Sequence, residues 1–149
     1  MTTHVSNATT EAQIRTLIED RVTATRAKDV DGCMSTSAPD ILLFDVVNPL
    51  QYMGLDGERQ RLEEWFSQFQ DGPIEYELRD LNITASDDVA FCHSLSHVSA
   101  TTPAGQTIDM WWRATVCFRK VDGEWLVTHE HNSVPLDVKT GLASLDLVP

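Results

Sequence analysis

The chain has 149 residues, 42% hydrophobic and 23% charged, which suits one folded domain with a real core and argues against global disorder. Its 11 Lys and Arg stand against 23 Asp and Glu, a net charge of −12; phosphate backbones and anionic lipid need clustered cations, so neither nucleic acid nor a membrane surface is expected as a partner. No run approaches the roughly 18 apolar residues of a membrane span, the start lacks the apolar core of a signal peptide, and the three cysteines, Cys33, Cys92 and Cys117, are isolated, which predicts reduced thiols in a cytoplasmic protein.

Residues 1–9 read as a flexible polar leader. A helix is expected over residues 10–28, with Thr10 as N-cap and Ile14, Leu17, Ile18 and Val22 on one face. Asp29-Val30-Asp31-Gly32 breaks it, and Asp31 can cap a short second helix over 32–36 before Pro39. Ile41 to Phe44 is a short apolar run, the expected first strand, with Asp45 at its end. Asn48-Pro49 and Met53-Gly54 mark a loop. Leu62, Trp65, Phe66 and Phe69 then form an apolar helical stripe that stops before Asp71-Gly72-Pro73. Strands are expected over 74–85, 89–100, 108–120 and 125–134, linked by turns at Ser86-Asp87-Asp88, Thr102-Pro103-Ala104-Gly105 and Asp122-Gly123. Three helices and one strand followed by four hairpin-linked strands point to an α+β architecture. One domain over 10–135 is expected, with an irregular tail over 136–149.

The chain resembles the nuclear transport factor 2-like superfamily, which includes ketosteroid isomerases, SnoaL-like polyketide cyclases and the association domain of calcium/calmodulin-dependent kinase. The residues that carry the resemblance are Ala27-Lys28-Asp29-Val30-Asp31, Gly54, and the run from Phe118 through Asp122-Gly123-Glu124-Trp125 to His129-Glu130-His131-Asn132-Ser133. It implies a cone-shaped, cystatin-like α+β barrel: a curved antiparallel sheet packed on about three helices around one internal pocket. It also implies a homodimer. By counting from Asp29, the steroid isomerases' catalytic base corresponds to Asp45. The positions of their two oxyanion donors correspond to Arg21 and Thr115, which depart from the Tyr and Asp of that pattern.

Asp45 is therefore the candidate general base, because a carboxylate at the mouth of an apolar pocket has its pKa raised by desolvation. The alternative is a strand-end Asp that caps a turn. His93, Leu95 and His97 alternate onto one strand face, and the resemblance turns that face to the pocket. The two imidazoles, about 13 Å apart along a strand, then serve hydrogen bonding or proton transfer, and otherwise are surface or core histidines. Arg113 shares a face with Trp111 and Thr115; inward, it would attract a carboxylate or enolate oxygen, and outward it solvates the strand. Tyr52, Trp65 and Phe69 are candidate pocket walls. His129 and His131 share one face of the last strand while Glu130 and Asn132 share the other, and the resemblance turns the second pair inward unless a bulge intervenes. The H-x-H spacing suits zinc but lacks an assured third ligand, so no metal is expected, nor any organic cofactor. These residues describe a pocket for a small hydrophobic molecule. It acts either as an isomerase, cyclase or dehydratase moving a proton next to a carbonyl, or as a non-catalytic ligand-binding or assembly domain.

Overall fold

The computed structural model describes residues 7–149; of the leader expected over 1–9, residues 1–6 lie outside the described residues and 7–9 are helical instead. Helix α1 (Asn7–Arg26) begins three residues before Thr10, which is buried inside the helix and does not cap it. Ile14, Leu17 and Ile18 form its buried stripe, as their spacing dictates, and Val22 packs against the same cluster. Helix α2 (Val30–Met34) sits two residues earlier than expected. Its cap is Asp29, whose carboxylate accepts the Gly32 amide at 3.0 Å.

Strand β1 (Ser37–Phe44) contains Pro39. The register of β1 shifts between Ser37 and Leu42, so the missing proline N–H falls where no ladder bond is made. A two-residue strand β2 (Tyr52–Met53) pairs with β1 and leads into α3 (Gly54–Phe66). Phe69 lies just beyond this helix and is nonetheless buried. Strands β3 (Glu75–Ala85), β4 (Val89–Thr101), β5 (Thr107–Val121) and β6 (Glu124–Ser133) complete the sheet. Asp122 and Gly123 join β5 to β6 with φ of 51° and 82°; two successive positive values are what a tight type I′ hairpin demands.

The sheet order is β2-β1-β6-β5-β4-β3, curved and packed against the three helices. It is mixed rather than antiparallel. The hairpins force antiparallel neighbours, but β1 reaches β6 only through α3 and four strands, a connection long enough for the parallel pairing observed. The tail is not wholly irregular, because β7 (Leu136–Asp137) and β8 (Leu142–Ala143) form a small hairpin. Ile14, Ile41, Leu43, Phe118 and Val127 anchor the main core at essentially zero exposure. Each large side chain so buried contributes roughly 1.5–3 kcal/mol. A second cluster joins Leu62, Phe66, Phe69, Ile74 and Val98 under α3.

Two bulges decide which side chains face the helices. In β3 the register slips between Arg79 and Asn82, with Asp80 at φ 56°, so the inward set passes from Tyr76 and Leu78 to Leu81 and Ile83. In β6, Val127 pairs with Phe118 and His129 with Cys117, leaving Thr128 as the extra residue. Trp125 and Val127 point into the core before it, and Glu130 and Asn132 point inward after it. Among the described residues no helix is long and apolar enough to cross a membrane.

Candidate functional site

Between the concave face of the sheet and the helices lies a cavity of about 500 Å³. Its walls are mostly apolar. Ile18 and Val22 come from α1, Leu62 and Trp65 from α3, and Leu78, Val98, Met110, Trp112 and Val116 from the strands. Residues i and i+2 of a strand share a face, so the even-numbered residues of β4 and β5 supply this wall. Trp65 stands at its centre, edge-on to Phe69 (5.6 Å), Tyr76 (6.2 Å) and Trp112 (6.0 Å), while Tyr76 and Trp112 lie nearly parallel at 6.0 Å. Ala143 and Leu145 of the tail also line the cavity.

One stretch of wall is charged. Arg61 of α3 donates from Nη2 to Glu130 Oε2 at 2.8 Å and from Nη1 to Asp45 Oδ2 at 3.2 Å. All three side chains are largely shielded, at 10%, 16% and 14% exposure for Arg61, Glu130 and Asp45. Burial by itself pushes the Glu130 carboxyl up, but Arg61, then Arg21, outweigh it and hold the group below its ordinary value. Behind this cluster, Glu58 is completely buried, with Arg21 at 3.9 Å and neither carboxyl oxygen in hydrogen-bonding geometry. Burial raises its pKa, opposed in part by the Ser37 hydroxyl and Arg21. Asp45 is thus an ion-paired carboxylate rather than an isolated one. Its second oxygen accepts the Val46 amide at 2.7 Å, the turn-capping role that was the alternative reading. Tyr52 lines the cavity beside it, its hydroxyl near Glu64 Oε2 (3.2 Å) and the Asn48 carbonyl (3.3 Å).

Of the residues singled out from sequence, the fold brings Asp45, Tyr52, Trp65, Phe69, Glu130 and Asn132 to one cavity. It does not bring His93, Leu95, His97, Trp111, Arg113 or Thr115 there. These six lie on the outer face of the sheet, because Cys92, Ser94, Ser96 and Val98 of β4, with Trp112, Ala114 and Val116 of β5, take the inward positions. Thr115 therefore stands outside the cavity, while Arg21 does line it. His97 stacks on Trp111 (4.2 Å, 5°) between Glu77 (3.2 Å) and Asp109 (2.9 Å), and Arg79 covers the indole at 4.8 Å. Arg113 donates to Ser133 at 3.1 Å. His129 and His131 also face outward. Phe44 lies edge-on to both rings, and His129 Nδ1 donates to the Leu42 carbonyl at 2.6 Å. Among the described residues no group of three or more His, Cys, Asp or Glu could hold a metal.

The sequence reading missed Arg61, Glu58, Tyr76, Ser94 and Ser96. Arg61 and Glu58 had a visible signal, since each lies four residues before a member of the α3 stripe, Trp65 and Leu62. The cysteines Cys33 and Cys92 line the cavity as free thiols, and burial pushes Cys92 up to about 12, which disfavours a reactive thiolate.

The SnoaL-like domain family model matches residues 14–137. No curated protein sequence matches the chain. An NTF2-like protein of unknown function from Pseudomonas putida is 34% identical, with 95% of this chain and 98% of that chain covered and a TM-score of 0.85. A ketosteroid isomerase-like protein from Erwinia carotovora atroseptica is 22% identical over 83% of this chain and 94% of that one, with a TM-score of 0.69. The association domain of C. elegans CaMKII is 13% identical over 85% and 97%, with a TM-score of 0.66. The latter two likenesses concern the fold alone. With its family model spanning most of the chain, its fold shared throughout and a close solved relative, the chain belongs to the SnoaL-like domain family of the nuclear transport factor 2-like superfamily.

Proposed function

We propose that the cavity binds a small, mostly apolar carbonyl compound and moves a proton on the carbon next to the carbonyl, as an isomerase, cyclase or dehydratase does. The observation that carries this reading is the Asp45–Arg61–Glu130 cluster set into an otherwise apolar wall. The Asp45 carboxylate takes the proton, and the C–H electron pair moves into the carbonyl to give an enolate. Arg61 and Asn132 present N–H donors to the enolate oxygen, a part that His93, His97 and Arg113 on the outer face do not reach. Returning the proton to another carbon isomerises the substrate; alternatively the enolate electron pair expels the hydroxyl of the next carbon, which takes the proton from Asp45 and leaves as water, restoring the carboxylate. Preorganised, shielded charge in a mostly apolar wall is where such transfer is favoured. No organic cofactor takes part in these steps.

The test is α-hydrogen exchange of tetralone and related ketones in deuterated water, followed by proton NMR. The native chain accelerates exchange, and Asp45→Asn lowers the rate by about 10²-fold or more while the fold is kept. An unchanged rate in that variant removes Asp45 as the base.

A second reading, assembly without chemistry, is favoured by the outer sheet face. Phe91, Leu95, Trp111 and the stacked His97 stand there at least partly exposed, on the face away from the described helices. Two such faces apposed give a homodimer, and the two readings are compatible in one molecule.

A further inference from the structure

The cavity has a second polar point, away from the Arg61 cluster. Ser96 is 1% exposed and lines the cavity, and its Oγ has no hydrogen-bond partner. Its cross-strand neighbours are Leu78 on β3, which has no polar side-chain atom, and Trp112 on β5, whose indole N–H makes no bond to it. A buried hydroxyl in that state is costly, and most such groups in folded proteins are paired. Tyr76 stands diagonally from it on the same face, two residues along β3 from Leu78, with its ring on Trp112. Burial pushes the Tyr76 phenol up to about 12, so at neutral pH it is a donor; the Ser96 hydroxyl is near enough to oppose that rise in part, yet the two are not in hydrogen-bonding geometry. Glu130 is two strands across and four residues along, through Val116 and Cys92. Strand geometry puts that separation at roughly 16 Å between backbones. Between the two polar points the wall is Trp112, Ala114 and Val116.

We propose that Ser96 and Tyr76 form a second polar subsite, which takes a hydroxyl or carbonyl oxygen at the end of an aromatic ligand remote from Arg61. This rests on the reading of the cavity as a ligand site and narrows it: the ligand is a flat, mostly apolar molecule oxygenated at both ends. Trp65, Tyr76 and Trp112 supply the stacking surface, and the two polar points set the orientation. An unfilled polar partner in a buried site discriminates strongly between ligands that carry the matching group and those that lack it.

The experiment uses naphthalene and naphthol as a pair differing by one hydroxyl, with binding read from quenching of tryptophan fluorescence. The native chain binds naphthol about tenfold or more tightly than naphthalene. Ser96→Ala brings the two within about threefold by weakening naphthol alone, and Tyr76→Phe lowers the preference in the same direction. Without ligand, Ser96→Ala unfolds at a urea concentration no lower than the native chain, because it deletes a hydroxyl that has no partner. A lower midpoint shows that the hydroxyl is already satisfied and overturns the subsite. So does equal binding of both compounds by the native chain, or a preference that survives in the Ser96→Ala/Tyr76→Phe double variant, which would place the naphthol oxygen at Arg61; in either case the ligand reading stands. Binding of neither compound overturns both.

Discussion

Replacing Arg61 by Met tests the electrostatic logic of the cavity directly. The guanidinium is nearly buried and bonds both Glu130 and Asp45, at 2.8 and 3.2 Å. Charge centres about 4 Å apart attract by about 4 kcal/mol at an effective dielectric constant near 20. Most of that attraction offsets the desolvation of the three ions, so the net worth of the cluster is small. Removing only the cation is a different matter, because two shielded carboxylates are left facing one another. Breaking a buried pair in this way costs about 3–5 kcal/mol. The sign of the pH dependence follows. In the native chain Glu130 titrates below its ordinary value, so its contribution is present above the usual carboxylate range and is lost as pH falls through the folded pKa. In Arg61→Met the largest opposing group is gone and only Arg21, His129 and Asn132 still work against burial, so the carboxyl rises from its native value and the variant is penalised against the native chain as pH rises through that range. The gap between the two proteins is therefore widest at neutral pH and narrows towards about pH 4. Urea unfolding across this range, with Arg61→Met/Glu130→Gln as the double variant, measures it. The double variant recovers part of the loss, as coupled neighbours do. A neutral-pH loss under about 1 kcal/mol, or a gap that does not change with pH, refutes the argument.

Glu58→Gln addresses the other buried carboxyl. Its folded pKa is raised, so its contribution is complete below the unfolded value and is lost as pH climbs towards the folded one. The variant lacks that loss, and its urea midpoint gains on the native chain as pH rises from about 4.5; a gap that moves the other way sinks this assignment. For the outer face, sedimentation should give a dimer at micromolar concentration. Phe91→Asp, a charge placed on a 43% exposed aromatic, should give monomers with the cavity's ligand binding intact, and a native monomer removes the paired-sheet reading.

The elements were legible in the sequence because each depends on neighbours in the chain. The 3.6-residue spacing of Ile14, Leu17 and Ile18 makes a helix, and Asp122-Gly123 closes a hairpin, whatever surrounds them. Asp45, Tyr52, Trp65 and Phe69 could likewise be placed near one pocket from their positions in that framework. What alternation along a strand cannot tell is which of its two faces is inside. In β4 the resemblance turns His93, Leu95 and His97 inward, whereas the structure places them on the outer face. The inward positions are Cys92, Ser94 and Ser96, small because the sheet there must leave room for a cavity. In β6, Trp125 and Val127 would by strict alternation carry His129 and His131 inward. The extra residue Thr128 turns Glu130 and Asn132 in instead.

Arg61 and Glu58 read as solvated charges on a helix until α3 is laid on the sheet. Only then do Asp45 and Glu130, 16 residues before and 69 after Arg61, become its partners. The sequence by itself determined the local periodicities, and hence the helices, the strands and the family. Tertiary structure decided the face, the parity after each bulge and the pairing of the charges, because those depend on contacts between residues far apart in the chain that no local pattern encodes.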